Sequence, residues 1–364
     1  MQQNVIHCVV ENAIPHKKYV GVDLFMMPKP ERRLWVFTRR LPFLLILLSV
    51  TLVGLLVWIS LGVLMRGGAS HNTDKTTPQT LSTPTATQGM PVDGPSPLLF
   101  GTNLGLFNAN DQILRSAPTR NLLQQMHPGI IRMPIRSKLS EAVAIHAAQI
   151  IKDLGAIPLV VLHSVNGPHV LDDDIRVIKD MNTIFGKSIV YYEFGNEDDW
   201  TGINAATYTQ AWNRLIPQLK QAALHGQFVG PVNYQYNGDF LSAFLQQVNP
   251  HFDQVSWHEY TCSYKWPDAD CIANIDNWTT HIQDSRYRMT AILGAPLPIM
   301  ITEWNYAPDA AYNDGKNNDR TFMTTWTNKA LQTLADSHVF AAMQYACTNT
   351  AMSLMVVLLI VLLN

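Results

Sequence analysis

The sequence predicts an α/β protein built on a (β/α)8 TIM barrel, preceded by a single transmembrane helix and a disordered linker. Three observations predict this. Residues 42–65 carry no charge, the residues that follow are rich in Ser, Thr, Pro and Gly, and from residue 98 short apolar runs alternate with longer amphipathic segments. Eight such runs imply a parallel sheet closed on itself, because near-continuous apolar strands need helices to cover their outer face.

The first domain expected is a cytoplasmic segment, 1–41. Lys17, Lys18, Lys29, Arg32, Arg33, Arg39 and Arg40 precede the apolar stretch, and after it comes Arg66 and then few positive charges. The excess of positive charge on one flank puts the N-terminus in the cytoplasm and the rest outside. Residues 42–65 then form the transmembrane helix. As a helix they span about 36 Å, enough for a bilayer core with some tilt. The stretch is too long for the apolar part of a signal peptide, and no convincing small-residue cleavage site follows. Residues 66–97 form the linker, since they hold too little apolar surface to offset the entropy of ordering the chain.

The barrel domain is expected over 98–364. Its strand candidates are 98–105, 129–135, 157–164, 188–197, 228–234, 254–261, 298–304 and 339–346. Helical patterns lie between them, as at 140–155, where Ser140 is placed to cap the N-terminus and Gly155 to stop the helix. Residues 204–226 and 319–337 behave alike. An open doubly wound sheet fits less well, because no Gly-rich phosphate turn follows the first strand. The apolar tail 351–364 is short for a membrane span and apolar all round. An eighth outer helix and a truncated or frameshifted end are both open readings of it.

The net charge of −2, with no block of Lys or Arg in the globular part, excludes a nucleic-acid partner. Nine Trp and twelve Tyr are enough either to fill a core or to make platforms for sugar rings. Cys262 and Cys271 lie nine positions apart on an expected loop, so a disulfide and two unpaired thiols are both open.

Catalytic groups of such barrels sit at the C-terminal ends of the strands. Here those ends carry Asn103, Arg132, His163 with Ser164, then Glu193, Asn196 and Glu197, then Asn233 and Tyr234, then His258, Glu259 and Tyr260, then Glu303 and Trp304, and last Gln344 and Tyr345. The strongest signal is the pair FGNE at 194–197 and ITEWN at 301–305. Cleaving a glycoside with retention requires two carboxyl groups about 5–5.5 Å apart, one to attack the anomeric carbon and one to protonate the leaving oxygen. Strands four and seven face each other across an eight-stranded barrel, so Glu197 and Glu303 can flank one bond. Glu193, four residues before Glu197, shares its side of the sheet and is expected to be a buried partner of Arg132 or a lysine rather than a third acid.

These motifs resemble those of the clan A retaining glycoside hydrolases, most closely families such as 39, 51 and 79. The resemblance covers about residues 98–346 and rests on Asn196-Glu197 after strand four and Glu303 after strand seven. Arg132, His163, His258 and Tyr260 fit the same pattern. It implies that Glu197 is the acid/base, that Glu303 is the nucleophile and that Asn196 bonds the sugar 2-hydroxyl. Arg132, His163, His258, Tyr260 and Trp304 are expected to bind substrate, Trp304 either as a floor beneath the sugar or as a plain core residue. The expected partners are a carbohydrate and, through one N-terminal helix, the cell membrane, with the barrel outside the cell. No cofactor or metal is expected, and the barrel is expected to act as a monomer. Two other readings compete: a carbohydrate-binding barrel without catalysis, and a metal-dependent hydrolase using His163, Glu197, His258 and Glu303.

Overall fold

The computed structural model describes residues 95–348, apart from 166, 168, 264 and 309–313. The expected cytoplasmic segment, the helix at 42–65, nearly all of the linker and the apolar tail at 351–364 lie outside the described residues. Among the described residues no helix is long and apolar enough to cross a membrane.

Eight parallel strands close into a barrel in simple sequence order, β1 pairing with both β2 and β8. They are β1 Gly101–Leu104, β2 Ile130–Pro134, β3 Ile157–Leu162, β4 Val190–Phe194, β5 Gly226–Asn233, β6 Gln254–Tyr260, β7 Ile299–Asn305 and β8 Ala341–Thr348. Each agrees with an expected run, with two informative differences. The first strand starts three residues later than expected, because Pro97–Leu99 form a 3₁₀ turn, with proline at its start and the Ser96 hydroxyl accepting from Leu98 N at 3.2 Å. The fourth ends at Phe194 rather than running to Glu197, because Gly195 turns the chain at φ +90°.

The helices are bounded by local chemistry. Asn204 caps Ala205–Ala222 by accepting from Thr207 N, and Asp319 caps Arg320–Asp336 by accepting from Thr321 N and Phe322 N. Such caps satisfy donors that a helix start leaves unpaired. Ser140 stands at the N-cap of Glu141–Asp153 but makes no side-chain cap bond, so its expected role is corrected to a positional one. Gly155 follows that helix at φ +75°, a conformation open to glycine without penalty.

The apolar residues divide between two cores. Ile130, Leu159, Val161, Tyr191, Val229, Met300, Ala341 and Met343 plug the inside of the barrel. A larger core lies between strands and helices, where Trp212, Trp278, Trp304 and Trp326 are all fully buried. Above the plug the inward positions turn polar: Asn103, Arg132, Glu193, Ser256, His258 and Glu303 are all buried. A bulge in the β6–β7 ladder aids this switch. Trp257 pairs with Ile301 but His258 pairs with Glu303, so β7 gains one residue. Met300 in the plug and Glu303 in the polar layer thereby share the inner face, whereas strict alternation would place them on opposite faces.

Cys262 and Cys271 form a disulfide with 4.7 Å between Cα atoms, closing the loop after β6. Cys347 remains outside it, its thiol donating to the Asn103 carbonyl at 3.4 Å.

Candidate active site

Arg132, on β2, organises the barrel mouth. Its Nε donates to Glu193 Oε2 on β4 at 2.5 Å, and its Nη2 donates to Asn196 Oδ1 at 2.6 Å. Its Nη1 donates to Glu303 on β7 and to Asn103 Oδ1 on β1 at 3.1 Å. One guanidinium thus touches four residues from β1, β4 with its following turn, and β7, a use of its planar fork that a lysine could not reproduce. Glu193 is the buried partner of Arg132, as its position on the strand suggested. Its second oxygen accepts from Ser256 Oγ at 3.0 Å. Burial opposes the charge on Arg132, but the adjacent Glu193 and Glu303 carboxylates outweigh it and raise the guanidinium pKa further.

Glu303 is buried and held on both oxygens. Arg132 bonds Oε1, and Tyr260 Oη donates to Oε2 at 2.6 Å. Burial alone would push this carboxyl up. The charges of His258 and Arg132, with the hydrogen bonds from Tyr260 and Arg132, overcome that and hold it below the usual glutamate value of 4.5.

Glu197 comes from the turn after β4. Gly195 has no room for a side chain, since a Cβ there would lie 2.6 Å from Asp198 Oδ2 and 2.8 Å from Ser164 Cβ. Glu197 itself adopts φ +53°, unusual for a residue with a side chain, and its N–H donates to the Val232 carbonyl at 3.0 Å. The turn therefore hangs from β5. The Glu197 side chain is 22% exposed, and its Oε1 lies 2.7 Å from His258 Nδ1. That same nitrogen is 3.7 Å from Glu303 Oε2. His258 is buried, which alone would lower its pKa, but Glu303 and Glu197 together raise it. One oxygen of each glutamate and a ring nitrogen of His258 lie within 4.8 Å of one another.

The structure therefore brings Arg132, Asn196, Glu197, His258, Tyr260 and Glu303 together. Two expected site residues fall elsewhere. Trp304 is 1% exposed and stacks on Trp326 at 5.8 Å, with Trp278 edge-on at 6.3 Å. Following Glu303 in the strand, it points to the opposite face, into the helix layer, so the floor reading is corrected to the core reading. His163, one residue past β3, is tied by Nδ1 to Asp174 Oδ1 at 2.9 Å on the helix Val170–Phe185. It lines a cleft with Arg136, Ser137, Glu141 and Arg176.

Sequence reasoning missed Ser256 and Asp198. Asp198 is buried beside Ser164, whose hydroxyl donates to it. Burial pushes this carboxyl up to about 6, despite that bond. The acidic run after Glu197 was the available signal.

The donor set fits a metal ion poorly. Glu197, His258 and Glu303 converge, but both Glu303 oxygens are already engaged and the cationic Arg132 touches the same carboxylate. A buried positive charge in contact opposes a second cation. His163, the fourth candidate ligand, is held by Asp174 and does not converge with the other three.

No family model matches the chain, and no curated protein matches it. Solved structures do. A glucosidase from Croceicoccus marinus is similar with a TM-score of 0.54 and 14% identity over 72% of this chain and 62% of that one. A glycoside hydrolase family 51 arabinofuranosidase from Xanthomonas axonopodis pv. citri is similar with a TM-score of 0.52 and 15% identity over 70% of this chain and 67% of that one. Family 51 is one of the families whose pattern the sequence resembles. At this identity the likeness establishes a shared barrel fold, and the chemistry rests on the residues at the mouth.

Proposed function

We propose that the protein is a retaining glycoside hydrolase that cleaves a β-linked glycoside by double displacement. The observation that carries this reading is the carboxylate pair: Glu197 and Glu303 present oxygens within 4.8 Å of each other over the barrel mouth. That separation suits retention, which uses carboxyls about 5–5.5 Å apart, and is too short to seat the water of an inverting enzyme, which needs about 6.5–9.5 Å.

The environment of Glu303 suits the nucleophile. Glu303, held ionised by His258, Arg132 and Tyr260, is the nucleophile. Its oxygen bonds the anomeric carbon as the glycosidic C–O bond breaks, and Glu197 gives its proton to the leaving oxygen. In the second half, Glu197 takes a proton from water, the water oxygen bonds the anomeric carbon, and the ester to Glu303 breaks. Arg132 takes Asn196 Oδ1, which leaves the amide N–H₂ of Asn196 to donate to a sugar hydroxyl.

The chemistry needs only side chains of this chain. We also propose that residues 42–65 anchor the barrel to the outer face of the cell membrane, with 66–97 as tether. The Cys262–Cys271 disulfide supports an oxidising compartment.

The test uses a panel of nitrophenyl glycosides. Glu303→Gln should abolish turnover while the far-UV spectrum stays native. A 2-fluoro glycoside should leave its sugar covalently on Glu303, read by peptide mass. Glu197→Ala should regain activity with external azide on good leaving groups. Normal turnover by Glu303→Gln would remove the nucleophile assignment. Binding of oligosaccharides by the wild type without hydrolysis of any panel member would favour a carbohydrate-binding barrel without catalysis.

A further inference from the structure

The tryptophans among the described residues fall into two groups. Trp212, Trp257, Trp278, Trp304 and Trp326 are buried, whereas Trp200 is 71% exposed and Trp266 is 45% exposed. Trp200 lies three residues after Glu197, and its surroundings hold it firmly. Its N–H donates to the Glu197 carbonyl at 3.0 Å, so the indole is built on the same turn as the proposed acid. The amides of Thr201 and Ile203 return to the Asp198 carbonyl at 3.1 and 3.0 Å. Asp199 Oδ1 accepts from Tyr234 N at 3.0 Å and ties this turn to the end of β5.

The rings form a continuous path. The Trp200 indole packs on Tyr234 with centroids 4.6 Å apart, tilted by 48°. Tyr234 stacks on Tyr260 at 6.2 Å and 27°. Tyr260 in turn bonds Glu303. Three aromatic rings thus lead from the proposed nucleophile out to solvent, over β4, β5 and β6. What distinguishes this indole from other exposed side chains is that ring path, which sets its open face at the rim of the polar site, where it can meet a ligand. The general acid protonates the leaving oxygen, so the leaving ring has to lie on the Glu197 side of the broken bond.

We propose that Trp200, backed by Tyr234, is the stacking platform for the sugar ring on the leaving-group side, and that the substrate is a glycan with a pyranose of the gluco or xylo type in that position. A ring whose hydroxyls are equatorial presents a flat face of C–H groups to the indole and keeps its polar edge in water. This proposal rests on the glycosidase reading above.

The experiment compares substrates that share a glycone and differ in whether a sugar leaves. Cellotriose is paired with β-cellobiosyl fluoride, and xylotriose with β-xylobiosyl fluoride. Trp200→Ala should lower kcat/KM on the trisaccharide by about 10- to 100-fold, the cost of losing one buried aromatic contact, and by at least tenfold more than on the fluoride. Trp200→Phe should restore most of the difference. Trp266→Ala, the same truncation on the neighbouring loop, should leave the ratio of the two substrates as it is in the wild type. Equal losses on both substrates in Trp200→Ala, or an equal collapse of the ratio in Trp266→Ala, overturn the platform assignment. If the wild type turns over neither substrate of either pair nor any member of the nitrophenyl panel, the glycosidase reading fails first and the platform proposal falls with it.

Discussion

Replacing Arg132 by Met should destabilise the barrel most at neutral pH and progressively less as the pH falls. The substitution keeps an unbranched apolar stem and removes a guanidinium that bonds Glu193, Glu303, Asn196 and Asn103. Buried Glu193 then loses its counter-charge, and Glu303 keeps only that of His258. Breaking one buried pair by deleting a partner costs about 3–5 kcal/mol. For a domain of this size that is a fall in Tm of roughly 6–20 °C. The pH dependence follows from Glu303. In the native protein its carboxyl is held below the ordinary 4.5, so its ionised form stabilises the fold above that value, and the contribution is lost as pH falls through the folded value. In the variant His258 and Tyr260 still favour the ionised carboxyl but Arg132 is gone, so the folded carboxyl is held down less and a smaller part of the stability is lost as pH falls. The gap between the two proteins should therefore be widest near pH 7 and narrow toward pH 4. Urea unfolding at several pH values measures it. Arg132→Lys should recover part of the loss, since an ammonium restores charge without the fork. A gap below about 1 kcal/mol at neutral pH, or one independent of pH, would refute the view that this guanidinium neutralises the mouth.

Other outcomes follow from the same geometry. Tyr260→Phe removes a hydrogen bond that lowers the Glu303 pKa, so the acid limb of kcat/KM should move to higher pH, with a loss of about 10- to 100-fold at the optimum; an unmoved limb would separate Tyr260 from Glu303. Trp304→Ala should cost about 3–5 kcal/mol in unfolding experiments while KM stays near wild type, because the indole lies in the helix layer; a large rise in KM with native stability would return it to the site. Reducing the Cys262–Cys271 disulfide should cost about 2–3 kcal/mol, the closure entropy of a short loop, read as a lower Tm with reductant present.

The barrel was legible because its signal is repeated. Eight apolar runs bounded by turn residues need no exact boundary to imply a closed sheet, and the pair Glu197 and Glu303 lay at the ends of strands four and seven. The partnership of Arg132 with Glu193 was legible from strand alternation. What escaped depends on contacts distant in sequence. Nothing local shows that Asp174, eleven residues on, ties up the His163 ring. The Trp304 ambiguity was resolvable in principle, because adjacent strand residues face opposite sides. The bulge opposite Trp257 and His258 was not, since an extra residue in β7 leaves no mark on composition. Gly195 did carry a readable hint, as a glycine two residues before a mouth carboxylate allows a turn that no other residue could make there.

The apolar plug beneath the charged layer has a consequence for traffic. Ile130, Leu159, Val161, Tyr191, Val229, Met300, Ala341 and Met343 stop the barrel from below. In the proposed reaction, the glycan, the departing fragment and the hydrolytic water then share one entrance. A second sugar seated on the exposed indole after the first has left would stand where water must approach. At high glycan concentration the enzyme would then build longer chains at the expense of cutting them, and the ratio of transfer to hydrolysis would report how long that seat stays filled.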